Sequence, residues 1–243
     1  MGKETVRVAA WLNQYKRKQF ISIYEYLKEK YILISEILFV DHELSTKKYA
    51  ERLEEKYGTV FNWEVTDPGD VYELILEEAT QFYHYEVLME HNHHLMMLSN
   101  MYQIFEQQPR QFIYSELNHH TNPIRTNDLK DFGNNLNEIK EAYSLVGYDL
   151  NRNSQWEKIK TLHDIVNTFK HGMGRSASRL LKKHPELFLE DKFTGLLVID
   201  LEQTTNFEVI FDIKKIDFNF YADGIIAFWN EVPEHLEGYY TFE

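Results

Sequence analysis

The stretch Asp70–Gln108, DVYELILEEATQFYHYEVLMEHNHHLMMLSNMYQIFEQQ, decides the fold class. It holds neither Pro nor Gly, the two residues that most often break a helix. Its apolar residues return at helical spacing: Val71, Leu74, Ile75, Ala79 and Phe82, then Leu95, Leu98, Tyr102 and Phe105. The pattern predicts one helix of about ten turns as the axis of an α-helical bundle. Pro109 either kinks this helix or opens another running to about Asn118. Glu106, Gln107 and Gln108 read as an exposed helix end, with an inward Glu106 facing a base such as Lys170 as the alternative. Met96, Met97 and Met101 read as core or subunit-interface packing.

On the N-terminal side the sequence reads as helices over Lys3–Lys30, Ile32–Asp41 and Ser45–Tyr57, with Ser45 as a cap. Phe61–Val65 reads as a short extended piece, and Asp67-Pro68-Gly69 as a break. These features suggest an N-terminal helical layer, residues 1–68, on a bundle formed by 69–243, with no linker that forces two domains. On the C-terminal side, His119–Asp128 is a polar turn region and Leu129–Leu145 a helix carrying an unfavourable Gly133. Ser154 and Glu157 have capping-box spacing before the apolar stripe Trp156, Ile159, Leu162, Val166 and Phe169. Gly172 is placed to end that helix. Ser176 can cap the next, through Lys183, with Pro185 after it. Leu196–Leu201 and Phe207–Ile213 alternate like two short strands, a small β-hairpin near the C-terminus. Asp217 opens a last helix, with Phe218, Ala222, Ile225 and Trp229 on one face and Pro233 at its end. The fold class is therefore mainly α, with a minor β element.

The composition narrows the function. Forty-three per cent hydrophobic and 15% aromatic residues in a 243-residue chain specify a folded core. The absence of Cys removes disulfides, thiolate catalysis and Cys-based zinc sites. The N-terminus lacks the apolar run of a secretory signal, and no stretch has the length of a membrane span, so a soluble cytoplasmic protein without membrane attachment is expected. A net charge of −13 disfavours nucleic-acid binding by the whole surface. The charge is nevertheless uneven. Residues 151–184 carry eight Lys and Arg against two acids, a net of +6, and the rest of the chain totals −19. Either a basic helix docks on an acidic neighbour, or this segment is an anion site.

Within that segment His163, Asn167 and His171 lie at i, i+4 and i+8 and form one helical stripe beside the apolar one. The chain then runs Lys170-His171-Gly172-Met173-Gly174-Arg175-Ser176 into the next helix. Two glycines permit a tight corner, a helix N-terminus at Ser176 offers free N–H groups, and Lys170 and Arg175 supply charge. These are ingredients of a phosphate or nucleotide site, and equally of an ordinary helix–loop–helix corner. A P-loop is excluded, because GxxxxGK[ST] does not occur.

Leu162-His163-Asp164-Ile165-Val166-Asn167-Thr168-Phe169-Lys170-His171-Gly172 resembles the signature helix of the HEPN superfamily. These are helical domains, many from bacterial defence and toxin–antitoxin systems, and many active members are metal-independent ribonucleases. Their helix carries an Arg, a polar residue after it, and a His one turn later. Asn167 matches the polar residue and His171 the His, whereas Val166 stands at the Arg position. The resemblance implies Asn167 and His171 as catalytic residues and His163, Lys170, Arg175 and Ser176 as binding residues. It further implies RNA or a nucleotide as ligand, no cofactor and a homodimer, with a protein partner as a further option. Lys170 or Arg175 would have to replace the charge that Val166 lacks. A second Arg-x4-His pair, Arg179 and His184, ranks below Asn167/His171.

Two other readings stay open. A HEPN-like interaction module without catalysis suits Val166. A metal-binding helical-bundle enzyme would use His84, His91, His93 and His94, with His119 and His120 beyond. Glu90-x-x-His93 and Glu116-x-x-His119 have the spacing of di-iron bundles. On one continuous helix they lie roughly 40 Å apart, too far to share a metal pair.

Overall fold

The computed structural model describes residues 4–39, 41–61, 64–126, 136–202 and 207–241. The long helix is the axis of the fold. It runs Pro68–Leu117, capped by Asp67, whose carboxylate accepts from Gly69 N–H. Before it come strand β1 (Thr5–Trp11) and helices α1 (Gln14–Leu38) and α2 (His42–Val60), so the long helix is α3. After it come α4 (Leu136–Leu145), α5 (Trp156–His171), α6 (Arg175–Lys183), the single turn α7 (Val198–Glu202), α8 (Phe218–Glu231) and strand β2 (His235–Thr241). Among the described residues no helix is long and apolar enough to cross a membrane.

Pro109 neither ends nor restarts α3, which passes through it to Leu117. A helix tolerates an internal Pro when the surrounding packing outweighs the lost N–H bond, and here Pro109 is buried and its carbonyl accepts the Tyr143 hydroxyl at 3.2 Å. Gln108, read from the sequence as part of an exposed end, is also buried. Its Oε1 accepts the Tyr24 hydroxyl (2.6 Å) and the Trp229 indole N–H (2.8 Å), and its Nε2 donates to the Phe20 carbonyl (3.1 Å). One amide thus bonds α1 and α8 to α3. Around it Phe20, Tyr24, Phe105, Phe112, Phe228 and Trp229 form the centre of the main core.

The β element is the antiparallel pair β1–β2, with register from Thr5↔Thr241 to Trp11↔His235. One strand is close to the C-terminus, but neither lies where the sequence placed strands. β1 falls inside the expected Lys3–Lys30 helix. Its side chains alternate, with Val8 and Ala10 buried and Arg7, Ala9 and Trp11 exposed, and the helix starts only at Gln14, where Asn13 accepts Lys16 N–H. The β2 backbone lies close against the turn after α4. A Cβ on Gly238 would overlap the Leu145 carbonyl, and one on Gly147, which has φ +75°, would overlap the Glu237 carbonyl. Both positions therefore require glycine.

The expected strand pair Leu196–Leu201 and Phe207–Ile213 is corrected. Residues 198–202 wind into α7, while Phe211 pairs with Phe188 and Leu197 with Glu190. The extended run after Leu187 takes the backbone bonds of both segments: Leu189 N–H donates to Ile210, Asp212 N–H to Leu187 and Val198 N–H to Leu189. α1 continues unbroken past Lys30, since nothing there stops a helix, and Asp41 rather than Ser45 caps α2 by accepting Leu44 N–H. Ser154 does not form the capping box. Its N–H and hydroxyl both bind the Glu231 carboxylate on α8, and Asn153 accepts Gln155 N–H instead. Ser176 is not a cap either, because α6 begins at Arg175, with Gly174 at the capping position two residues before Ser176. Gly172 ends α5 as expected, with φ +67° and its N–H on the Thr168 carbonyl. Asp217 caps α8 through Asn219 N–H. Of the expected extended piece Phe61–Val65, Asn62 and Trp63 lie outside the described residues and Glu64 and Val65 form a turn; Gly133 and the first turns of the Leu129–Leu145 helix also lie outside the described residues.

Two apolar clusters divide the packing. The main core gathers β1, α1, the second half of α3, α4–α6, α8 and β2. α2 and the first part of α3 make a smaller one, Leu53, Tyr57, Val71 and Ile75, and project from the bundle as a two-helix arm. Where arm and bundle meet, α3 carries its buried histidines. His91 Nε2 accepts Phe211 N–H at 3.3 Å, and His94 Nδ1 hydrogen-bonds the Tyr31 hydroxyl at 2.6 Å. Both are neutral. Burial pushes His91 down to about 4 against a weaker opposing bond with Asn92. His94 is likewise pushed to about 4 by burial, helped by His91 and His93 and opposed by the Ile216 backbone and Asp217.

Two measurements check these assignments. Gln108→Leu strands the Tyr24 hydroxyl and the Trp229 N–H in the core. Urea denaturation should then show a loss of about 2–4 kcal/mol; a loss within error would refute the role of the amide as a tie. The histidines set an acid limit. Their folded values near 4 lie below the unfolded value near 6.5, so the unfolded chain binds more protons between the two. Stability should be full above about pH 6.5 and fall towards pH 4, by up to about 3 kcal/mol per histidine. His91→Asn with His94→Gln should flatten that slope; an unchanged slope assigns it elsewhere.

Candidate functional site

α5 buries a wide face. Trp156, Ile159, Leu162, Ile165, Val166 and Phe169 enter the core, and with them Asp164 and Thr168, whose hydroxyl bonds the Asp164 carbonyl at 2.7 Å. His163 and Asn167 stand half-buried on the border of this face and meet as their i, i+4 spacing requires. Asn167 Nδ2 donates to His163 Nε2 at 2.8 Å, and His163 Nδ1 donates to Asp164 Oδ1 at 3.2 Å. The Tyr102 ring closes the other side of the imidazole edge-on, at 5.4 Å.

Asp164 is the hinge between α5 and α6. Arg179 grips its carboxylate with two nitrogens, Nε at 3.0 Å to Oδ2 and Nη2 to Oδ1, and Nη2 also donates to Ser176 Oγ at 3.0 Å. Burial alone would raise the Asp164 carboxyl. The bonds from Arg179 and His163 outweigh it and hold the group below the usual range. This fork–fork pair joins positions 15 apart across the Gly172–Gly174 corner. Arg179 and His184, read from the sequence as a secondary motif, serve different partners, since His184 Nδ1 faces Glu186 Oε1 at 3.2 Å. Sequence reasoning passed over the Asp164–Arg179 pair because helical spacing says nothing of contacts across a corner.

The corner brings the expected residues together in two groups. His163, Asn167 and Ser176 belong to the bonded network around Asp164. Lys170, His171 and Arg175 are exposed around the turn, and among the described residues the His171 side chain makes no hydrogen bond or ion pair. Lys170 and Glu106 form no ion pair, so the inward-facing alternative for Glu106 finds no support. Val166 is 1% exposed. The position that would carry an Arg in the resemblance faces the core, where a guanidinium has no room and no water.

The bases of the segment divide evenly. Arg152 pairs with Asp149, Lys160 and Lys183 with Glu157, and Arg179 with Asp164. These acids lie in the segment or just before it, so no acidic neighbouring helix neutralises the basic stretch through ion pairs among the described residues. Lys158 lays its ammonium over the Phe220 ring at 3.9 Å. Lys170, Arg175 and Lys182 remain exposed without a carboxylate partner among the described residues. On α6, Arg175, Ser178 and Lys182 share the outward stripe, opposite Ala177 and Leu180 in the core.

The histidines of α3 do not converge in this way. His91 and His94 are committed to Phe211 and Tyr31. His93 packs its ring near Phe39 and Tyr31, while His42 Nε2 hydrogen-bonds Glu90 at 2.7 Å. His84 is exposed on the arm, and His119 and His120 lie beyond the far end of α3. Among the described residues no three His, Asp or Glu side chains are arranged to hold a metal ion. The α5–α6 corner is therefore the best-formed candidate, an exposed basic surface with one imidazole that makes no hydrogen bond among the described residues. Comparison of the chain with protein-family models, with curated proteins and with solved structures finds no match to any of them.

Proposed function

We propose that the chain is a HEPN-like helical protein of a prokaryotic defence or toxin–antitoxin type system, binding RNA or a nucleotide through the α5–α6 corner. The observation that carries this reading is the set Lys170 and Arg175, exposed at the turn that also carries His171, with Lys182 on the Arg175 face of α6, all three without a carboxylate partner among the described residues. Three cations in one surface region of a molecule with net charge −13 concentrate an otherwise absent attraction for phosphate. Single-stranded RNA suits such a surface, since its backbone can follow a convex corner that a duplex cannot.

Where the chain cleaves RNA, His171 is the residue available to move a proton. Asn167 is occupied with His163, so Lys170 and Arg175 supply the charge at the scissile phosphate. The burial of Val166 favours a second reading, a HEPN-like module that holds RNA or a protein partner and leaves it intact.

Fluorescence anisotropy with a labelled single-stranded RNA tests the binding. Lys170→Glu with Arg175→Glu should weaken it at least tenfold and lower its salt dependence. Equal affinity in wild type and variant would overturn the assignment. A cleavage assay in EDTA separates the two readings, because chemistry through His171 needs no metal. His171→Ala should then abolish cleavage with an unchanged thermal midpoint; undiminished cleavage by that variant would remove His171 from the mechanism.

A further inference from the structure

The charge of this chain is segregated at both ends of the scale. Against the +6 of residues 151–184, residues 42–90, which include the α2–α3 arm, carry twelve acids and four bases, a net of −8. The arm also leaves the bundle. From Pro68 to Glu90, α3 advances about 33 Å, and α2 packs chiefly against α3 over this length. Its own core is the four-residue cluster with its fringe, which is slender for a helix pair that depends on tertiary packing.

The outward face of the arm is an open, shallow strip of α3 formed by Glu73, Leu76, Glu77, Thr80, Gln81 and His84. Leu76 is 57% exposed in it, and Tyr72 on the neighbouring turn is 63% exposed. Glu73 and Glu77 are exposed and make no ion pair among the described residues. An apolar floor between two free carboxylates fits Lys or Arg side chains, whose stems cover Leu76 and Tyr72 while their charges meet the acids. The chain itself carries such a group, the outward stripe Arg175 and Lys182 on α6, equally without acids. The arm cannot fold back to it within one molecule, because α3 is continuous through the point where His91 meets Phe169 (6.5 Å between ring centroids).

We infer that the Glu73–Glu77 face of the arm docks on the Arg175–Lys182 face of α6 in a second copy of this chain. The corner sits at the root of its own arm, so two copies set antiparallel place each arm along the other's corner. The contact closes as a two-fold dimer with the same pair of patches used twice. Two arms do not pair with each other, since each carries −8. This interface is separate from the RNA reading but uses the same cations, so RNA and the partner's arm exclude one another at the corner.

Sedimentation equilibrium on the full chain tests it. Wild type should be dimeric at low ionic strength and dissociate as salt rises. Glu73→Lys with Glu77→Lys, and separately Arg175→Glu with Lys182→Glu, should each weaken association at least tenfold, and the four changes together should restore it. The helices carrying all four positions should keep their circular dichroism, since the changed side chains are exposed. A monomeric wild type, a dimer that survives both double variants, or a folded quadruple variant that stays monomeric would overturn the proposal. RNA anisotropy keeps the two readings apart. The arm variant should bind RNA at least as tightly as wild type, and the corner variant should not, whichever way the association experiment falls.

Discussion

The side-chain amide of Gln108 ties three helices at a point where the backbone of α3 is weakest. Pro109, one residue on, contributes no N–H to the helix, so the ladder is interrupted in the middle of the core. The interruption is tolerated because α1 and α8 grip the helix there through Tyr24, Phe20 and Trp229. Arg17 adds a bond to the Trp229 carbonyl, and Lys28 pairs with Asp223, so α1 lies along α8 on both sides of the amide. A helix about 75 Å long is thereby clamped near one end and left to project at the other. The arm, the corner and the terminal strands all take their positions from that clamp.

The parts legible from sequence are those set by local chemistry. The course of α3, the Gly172 stop on α5, the Asp217 cap and the His163–Asn167 contact follow from spacing along one helix. The burial of Val166 was also legible, as one member of the apolar stripe. The missed parts depend on partners remote in the chain. β1 pairs with a strand some 230 residues away, and β2 holds its place because Gly147 lets it approach α4. Ser154 has good capping-box spacing, yet Glu231 of α8 binds it more strongly than its own helix. Gln108 looked like a helix end because its neighbours are polar, while its partners come from α1 and α8. In the candidate site, Lys170, His171 and Arg175 could be placed at a corner from the two glycines. That Asp164 and Arg179 would pin the corner could not, since both were then only surface charges.

The pinning has an electrostatic consequence. The Asp164–Arg179 pair removes one acid and one base from the surface and fixes the direction of α6 with two bonds. The Glu157 carboxylate does the same for Lys160 and Lys183 near the outer end of the pair of helices. Glu157 is one charge against two and Lys158 rests on the Phe220 ring, so the segment stays basic, and Lys170, Arg175 and Lys182 are its exposed cations without a carboxylate among the described residues. At physiological ionic strength, charge interactions fade over about 8 Å. Glu73 and Glu77, about 20 Å or more along α3 from the point where His91 meets Phe169, therefore do not neutralise these cations within one molecule.

The buried histidines show how such a corner keeps its place. A segment pairing by isolated bridges leaves some backbone groups without a strand partner, and the N–H of Phe211 is one of them. His91 answers it with Nε2. A leucine there would fill the space but strand a buried donor, which costs more than the packing returns. The same ring lies edge-on to Phe169 in the last turns of α5. His94, one turn on, holds Tyr31 of α1, and Tyr31 stacks on Phe218 at the start of α8. Neutral imidazoles thus fasten α1, α5, α8 and the 207–216 segment to one side of α3. Their part is to accept and donate hydrogen bonds where aliphatic residues cannot, in contrast to His171, which is exposed at the corner and makes no hydrogen bond among the described residues.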